Sequence, residues 1–305
     1  MRLKFKSYSW FLAMSLCAGA NAQVSGTLES YFQSDRLSHG FAHVMTWGEI
    51  NARVSPNFKG TFSFTIMPTK RTYDEASVTY DSGPVSARAG RMRTSFGFSN
   101  WSDIFYEGIN HVPMVMIQPL SKGLRLIRDD SGVELTTNVS GIQLEAAAVD
   151  TRPTSFQVGP EKFRAITLRA QGLLGGAIVG LDVLNGFIGE GSVYGADLRW
   201  TGPHFVVRGE YMQGVGDGPT ASGYFANIGY RVPRLPRLQL IVQTEGLRRT
   251  GKADYHLHTL GARYIPLPNI TLIGNYAWGN GDAPAFVAFT GTTGWSMRAL
   301  FQIHF

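Results

Sequence analysis

The 305-residue chain has one cysteine, Cys17, and almost no long apolar run. Cys17 lies in an N-terminal segment that reads as a cleaved signal. Past that segment no cysteine remains, so a disulfide scaffold and a thiolate metal site are both excluded. Charge is scarce as well. Asp, Glu, Lys and Arg make up 16% of the residues, below the roughly 25% usual for soluble domains. Beyond the N-terminus no apolar stretch reaches about 18 residues, which excludes ordinary transmembrane helices. No Gly-x-Ser-x-Gly elbow is present to expose a hydrolase nucleophile.

The N-terminus sets the compartment. Arg2, Lys4 and Lys6 form a basic region, an apolar run extends from Tyr8 to about Ala18, and Ala20-Asn21-Ala22 supplies a small-x-small cleavage site. The run is too short to span a bilayer. A lipoprotein box at Cys17 would need a small residue where Leu16 stands. Residues 1–22 are therefore expected to be a signal peptide, with the mature chain beginning at Gln23. Without Arg2, Lys4 and Lys6 the formal charge falls from +6 to +3. Nucleic-acid binding then loses its electrostatic support.

What the chain does have is alternation, with 36 Gly and 12% aromatic residues. In the last stretch, Trp295, Met297, Ala299, Phe301, Ile303 and Phe305 share one face, and Ser296, Arg298, Leu300, Gln302 and His304 the other. Side chains alternate across a strand, so this is a two-faced β-strand with an apolar outer side. Similar segments begin at Val24–Gln33 and recur about sixteen times. Ile142, Leu144 and Ala146 alternate with Gln143 and Glu145; Phe205, Val207 and Tyr211 alternate with Arg208 and Glu210.

The connections carry the fold. Short ones (Ser55–Asn57, Ser82–Pro84, Ser140–Gly141, Gly172–Leu174, Thr201–Gly202, Val232–Pro236, Ile265–Pro268) alternate with longer ones at about 34–40, 68–74, 93–131, 151–162, 185–191, 213–221, 247–254 and 280–293. A transmembrane barrel with both ends on one side needs this rhythm, with tight turns at one rim and longer loops at the other. The expected fold is all-β: one transmembrane antiparallel β-barrel of about 16 strands over residues 23–305. A barrel of that size leaves a water-filled interior. The charges expected inside are Arg53, Lys59, Arg88, Arg169, Arg199, Arg208, Arg231, Arg263 and Arg298, against Glu29, Glu49, Asp81, Glu134, Glu145, Asp182, Asp197, Glu210 and Glu245.

One connection, about 93–131, is too long and too apolar to be a simple loop. It carries Phe96, Phe98, Trp101, Ile104, Phe105, Met114 and Met116, and returns through Arg125, Arg128, Asp129 and Asp130. Such a segment is expected to fold against the barrel's inner wall.

Three stretches carry a resemblance. The terminal Phe305 after alternating apolar residues resembles the C-terminal signal of Gram-negative outer-membrane barrels. The long connection after the fifth strand is similar to the inward-folded third external loop of sixteen-stranded general porins. The run Ala89-Gly90-Arg91-Met92-Arg93-Thr94-Ser95-Phe96-Gly97 resembles the segment at this place in phosphate-selective porins of O and P type. The phosphate-selective type uses inward lysines, whereas Lys59 is the one lysine placed on an inward strand face here. The resemblance implies an outer-membrane porin, assembled as a homotrimer, inserted by the barrel-assembly machinery through Trp295–Phe305 and embedded in outer-membrane lipid. It would pass small hydrophilic solutes by diffusion, without cofactor. A substrate-selective channel for phosphate, an organic anion or a sugar is the neighbouring reading. A plugged barrel acting as adhesin or enzyme is the distant one.

Candidate pore residues are Arg88, Arg91, Arg93, Asp103, Glu107, Arg125, Arg128, Asp129, Asp130, Arg208 and Arg298. Arginines at the roots of the long connection outnumber the aspartates there, which favours weak anion preference. Enzyme and metal readings gain little. His256 and His258 share one face, but that face is the lipid side and no third ligand joins them. Ser296 and His304 face inward about 27 Å apart at roughly 3.3 Å per residue.

Overall fold

The computed structural model describes residues 23–35, 42–69, 71–93, 95–97, 109, 113–117, 120–121, 129–150, 165–186, 191–284 and 294–305. The signal-peptide expectation for residues 1–22 lies outside them. The strands are β1 (Gln23–Asp35), β2 (Ala42–Ser55), β3 (Phe58–Ile66), β4 (Arg71–Asp81), β5 (Val85–Arg93) and β6 (Asp129–Val139). Next come β7 (Ile142–Asp150), β8 (Ala165–Leu174), β9 (Ala177–Gly186), β10 (Ser192–Thr201) and β11 (Phe205–Val215). The last are β12 (Ala221–Arg231), β13 (Leu238–Arg249), β14 (Tyr255–Leu267), β15 (Ile270–Gly281) and β16 (Gly294–His304). A one-turn helix, α1 (Met114–Ile117), lies between β5 and β6.

Each strand pairs antiparallel with its neighbours in sequence, and β1 pairs with β16, closing a sixteen-stranded barrel. Closure matters because it leaves no open sheet edge: β1 pairs with β16 from Thr27 to Asp35. At the seam, Gly26 N donates to Phe305 O across 2.8 Å and Phe305 N returns a bond to Gly26 O at 3.1 Å.

The connections sort by rim. At one rim lie 56–57, 82–84, 140–141, 175–176, 202–204, 232–237 and 268–269; the longer connections lie at the other. Ser140 and Gly141 both have positive φ (52° and 85°), the backbone that a two-residue hairpin turn needs to match strand twist. The length contrast is looser than expected. β4 begins at Arg71, so the long-rim connection before it shrinks to 67–70, shorter than 232–237 at the tight rim.

Alternation fixes two faces. Leu135, Leu144, Leu168, Leu181, Tyr211, Val242, Tyr276, Phe301, Ile303 and Phe305 are exposed outside. On the inner positions of the same strands stand Glu134, Glu145, Arg169, Asp182, Glu210, Gln243, Asn275, Leu300 and Gln302. Four register shifts interrupt the ladder among the described strands, at Tyr31/Phe32, Arg53/Ser55, Ser63/Phe64 and Tyr264/Leu267, and two of them lie toward the long connections. Tyr31 pairs with Met45 and Phe32 with His43, leaving Val44 as the extra residue. Ser63 pairs with Glu75 and Phe64 with Tyr73, leaving Asp74 as another. A bulge shifts the facing of the residues beyond it, so β4 turns both Asp74 and Glu75 inward.

Candidate functional site in the barrel lumen

The inner wall is built in three tiers. Near the long connections it is apolar. Val149, Leu184, Val193, Met212, Phe225, Leu247 and Leu257 form one buried cluster with Phe96, Met114, Val115 and Leu120 of the connection between β5 and β6. The described residues of that connection thus rest on the inside of the barrel, where their apolar side chains find apolar wall. α1 packs on β12 and β13. Met114 N donates to Glu245 Oε2 across 2.6 Å. Ser95 Oγ donates to Glu134 Oε2 at 2.7 Å. Leu120 O accepts from Ala221 N at 2.9 Å, and Ser121 bridges to Thr220.

Small residues in the wall make room for it. A Cβ on Gly214 would stand 1.8 Å from Leu120 O, and one on Gly195 would stand 2.9 Å from the Phe96 ring. Only glycine permits so close an approach.

The middle tier is ionic and largely closed. Arg169 Nη1 donates to Asp182 Oδ1 and Asp197 Oδ2, both at 2.7 Å. Arg169 Nη2 donates to Gln171 Oε1 at 3.1 Å, Gln171 Nε2 to Gln143 Oε1 at 2.9 Å, and Gln143 Nε2 to Glu145 Oε1 at 2.5 Å. Asn227, Gln243 and Glu245 form a second relay at 3.0 and 2.8 Å. Gln302 Nε2 donates to Glu29 Oε1 at 2.9 Å and Tyr31 Oη donates to the same carboxylate. Glu29, Asp182, Asp197, Glu210 and Glu245 are all buried. Charges so far from water persist only when paired and hydrogen-bonded.

The third tier, toward the short turns, is basic and more open. Arg53, Lys59, Arg199, Arg208, Arg231 and Arg263 stand there on inward positions. Arg53 and Arg231 are exposed, the other four half-buried.

All nine basic and nine acidic residues expected inside occupy inward positions by register. The candidate pore residues divide. Arg88 faces inward and pairs with Glu75, with Glu134 at 3.9 Å. Arg208 faces inward opposite Arg199 and Asn227. Arg298 donates to Gln33 Oε1 at 2.6 Å and lies over the Tyr31 ring at 5.8 Å. Asp130 is buried opposite Met92. Arg91 and Arg93 differ from expectation. They alternate with Arg88 to the outward parity of β5, and Arg91 Nε donates to Asp74 O at 3.2 Å. Asp129 pairs with Arg93 along the backbone. Asp103, Glu107, Arg125 and Arg128 lie outside the described residues. His256 and His258 face outward as expected; His258 stacks by Trp278 and bonds Thr244 Oγ1 at 3.1 Å. The sequence reading missed Asp74, Glu75 and the apolar upper tier. Inward glycines on β10 and β11 were the available sign of that tier's covering.

Among solved structures the barrel is similar to a loop-deletion mutant of OmpT, an outer membrane protein of Vibrio cholerae. The TM-score is 0.65 at 11% identity, covering 93% of this chain and 99% of that one. It is similar also to a multiple mutant of the Rh. blastica porin, with a TM-score of 0.64 at 11% identity, covering 93% of this chain and all of that one. The fold is that of a porin-type barrel. No protein-family model matches the sequence. No curated relative matches it either. The likeness is therefore one of architecture, carried by strand number, closure and the two faces.

Proposed function

We propose that this chain is an outer-membrane porin, a barrel through which small hydrophilic solutes and ions diffuse. The carrying observation is the pairing of an apolar outward face with a charged inward one on a closed sixteen-stranded sheet. In lipid the outward face needs no protein cover, and closure leaves no unpaired strand edge. Residues 1–22 act as the cleaved signal, Trp295–Phe305 as the insertion signal read by the assembly machinery, and a homotrimer as the assembled state. The connection 94–128 narrows the lumen, with Arg88, Asp130, Arg208 and Arg298 on the wall around it. The basic short-turn tier and the paired acidic tier together favour a weak anion preference that fades as salt screens the field. The protein acts as a channel, not as an enzyme.

Planar-bilayer recording tests this. Discrete conductance steps are expected, with an anion-selective reversal potential across a potassium chloride gradient. A second reading, a plugged barrel, draws on the burial of Glu29, Asp182, Asp197, Glu210 and Glu245 in the middle tier. Inserted protein with no conductance would establish the plug and sink the channel.

A further inference from the structure

One connection at the short-turn rim is longer than its place requires. Residues 232–237, between β12 and β13, make a connection twice as long as any other there. A hairpin can turn in two residues, as 140–141 and 175–176 do. The extra length is ordered. Leu235 N donates to Val232 O at 3.0 Å, Leu238 N to Leu235 O at 2.8 Å, and Val232 N to Leu238 O at 3.1 Å. Pro233 and Pro236 stiffen the backbone around Arg234 and Leu235. Arg237 is held twice: its carbonyl accepts from Ile265 N at 3.0 Å, and its Nη1 donates to Pro266 O at 2.5 Å.

What this turn presents is basic and apolar. Arg234, Leu235 and Arg237 are all exposed. Arg234 makes no hydrogen bond or ion pair among the described residues, and the Arg237 fork has donors left beyond the one on Pro266. The outward wall under the turn is apolar and aromatic. Phe205, Tyr230 and Leu240 stand side by side on paired strands, as do Leu238, Tyr264 and Leu272. The Phe205 and Tyr230 rings lie 5.0 Å apart. No Asp or Glu occurs in 198–209, 228–244 or 259–281, the stretches that build this sector of the rim. The two turn arginines thus have no acidic neighbour in the sector to serve. They sit past the apolar band, at the level where headgroups meet a lipid-facing wall.

We propose that the 232–237 turn and the outward wall beneath it bind an anionic phospholipid of the leaflet at the short-turn rim. The guanidinium groups of Arg234 and Arg237 donate to the headgroup oxygens. The acyl chains lie along Leu238 and Leu240, with the Tyr230 and Tyr264 rings at the boundary between chain and headgroup. Basic groups at a bilayer surface select anionic lipid. A zwitterionic lipid brings its own cation to the same place and gains less. The site rests on the outer wall being lipid-facing, and not on passage of any solute through the lumen.

Native mass spectrometry of the full folded protein, released from micelles with equal phosphatidylglycerol and phosphatidylcholine, reads which lipid stays bound. Phosphatidylglycerol should stay on the parent, and the preference should fall as salt rises. Arg234→Gln with Arg237→Gln should cut the preference about tenfold or more, at roughly fivefold per arginine. Arg234→Lys with Arg237→Lys should keep most of it, because the charge remains. Arg248→Gln, at the opposite rim and already paired with Asp254, should match the parent. A parent without preference, or an undiminished preference in the glutamine variant, would overturn the proposal. Loss as complete with lysine as with glutamine would make the effect one of turn structure and overturn it too. Displacement of the lipid at equal concentration by glycerol phosphate or by a glutamate-rich peptide would do the same, by naming a free phosphate or an acidic protein segment as the occupant. Conductance plays no part in this readout. A silent bilayer removes the channel reading and leaves the site standing, whereas a conducting barrel without lipid preference removes the site alone.

Discussion

The backbone N–H of Met114 donates to the carboxylate of Glu245 across 2.6 Å, between residues 131 positions apart in the chain. That bond ties the inserted segment to the wall of β13 at the first residue of α1. Its acceptor is 1% exposed, so no water replaces it when it breaks. A buried donor left without a partner costs about 1–3 kcal/mol. Glu245→Ala should therefore loosen α1 while the barrel stays closed. Limited proteolysis should cut near residues 114–117 in the variant and not in the parent. If the cutting pattern is unchanged, the bond does not hold the segment.

A second anchor is steric. Leu120 O accepts from Ala221 N, and it lies 1.8 Å from where a Cβ on Gly214 would stand. Gly214→Ala forces residues 120–121 away from the wall or bends β11, at a cost of about 1–3 kcal/mol. Hydrogen exchange at the Ala221 amide should accelerate by about tenfold or more if the segment lifts. An unchanged exchange rate would mean that the strand yields instead.

Arg169 holds two buried carboxylates, Asp182 and Asp197, at 2.7 Å each. Arg169→Met leaves them together without a cation, which should lower unfolding stability by about 3–5 kcal/mol. Replacing all three by Leu should recover most of the loss, because paired charges taken from water together gain little net energy. Equilibrium urea unfolding in lipid vesicles measures both. A single variant as stable as the parent would mean that water or another cation serves the aspartates.

Much of this architecture is legible in the residues themselves. Period-two alternation with tight turns at Ser140–Gly141 and Thr201–Gly202 suffices for the strand number. The inward parity of Arg169, Asp182, Asp197 and Glu210 comes from the same count. Parity fails at a bulge, because one unpaired residue inverts everything beyond it locally. Asp74 is such a residue and enters the lumen out of step, whereas Glu75 keeps the inward parity it shares with Asp81. Arg91 and Arg93 are misplaced beside the pore for the opposite reason. Closeness to the long connection groups them with the pore, although they alternate away from Arg88. The apolar upper tier also escapes a reading of the sequence, since Leu184 or Met212 on an inward position reads as noise until Val115 and Leu120 are found against that wall.

Phe305, the last residue, exchanges two backbone bonds with Gly26 and lays its ring where a Cβ of Gly26 would stand, 2.4 Å from the nearest ring atom. It thereby seals the end of the β1–β16 seam as well as presenting an apolar ring outside. Deleting it removes both bonds at that edge and uncovers the Gly26 backbone. Replacing Phe301, Ile303 and Phe305 with Ser keeps the backbone bonds but strips outward apolar surface, about 1–2 kcal/mol per side chain at their partial exposure. Both changes leave the inward Arg298 and Gln302 in place. Insertion into membranes should fall in both variants, read as loss of the heat-modifiable folded band. The two part on stability of whatever does insert. The deletion should melt lower through seam fraying, whereas the serine variant should melt nearer the parent, because its seam bonds survive. Equal melting of the two would show that the ring's lipid contact, and not the Gly26 bonds, secures the closing strand.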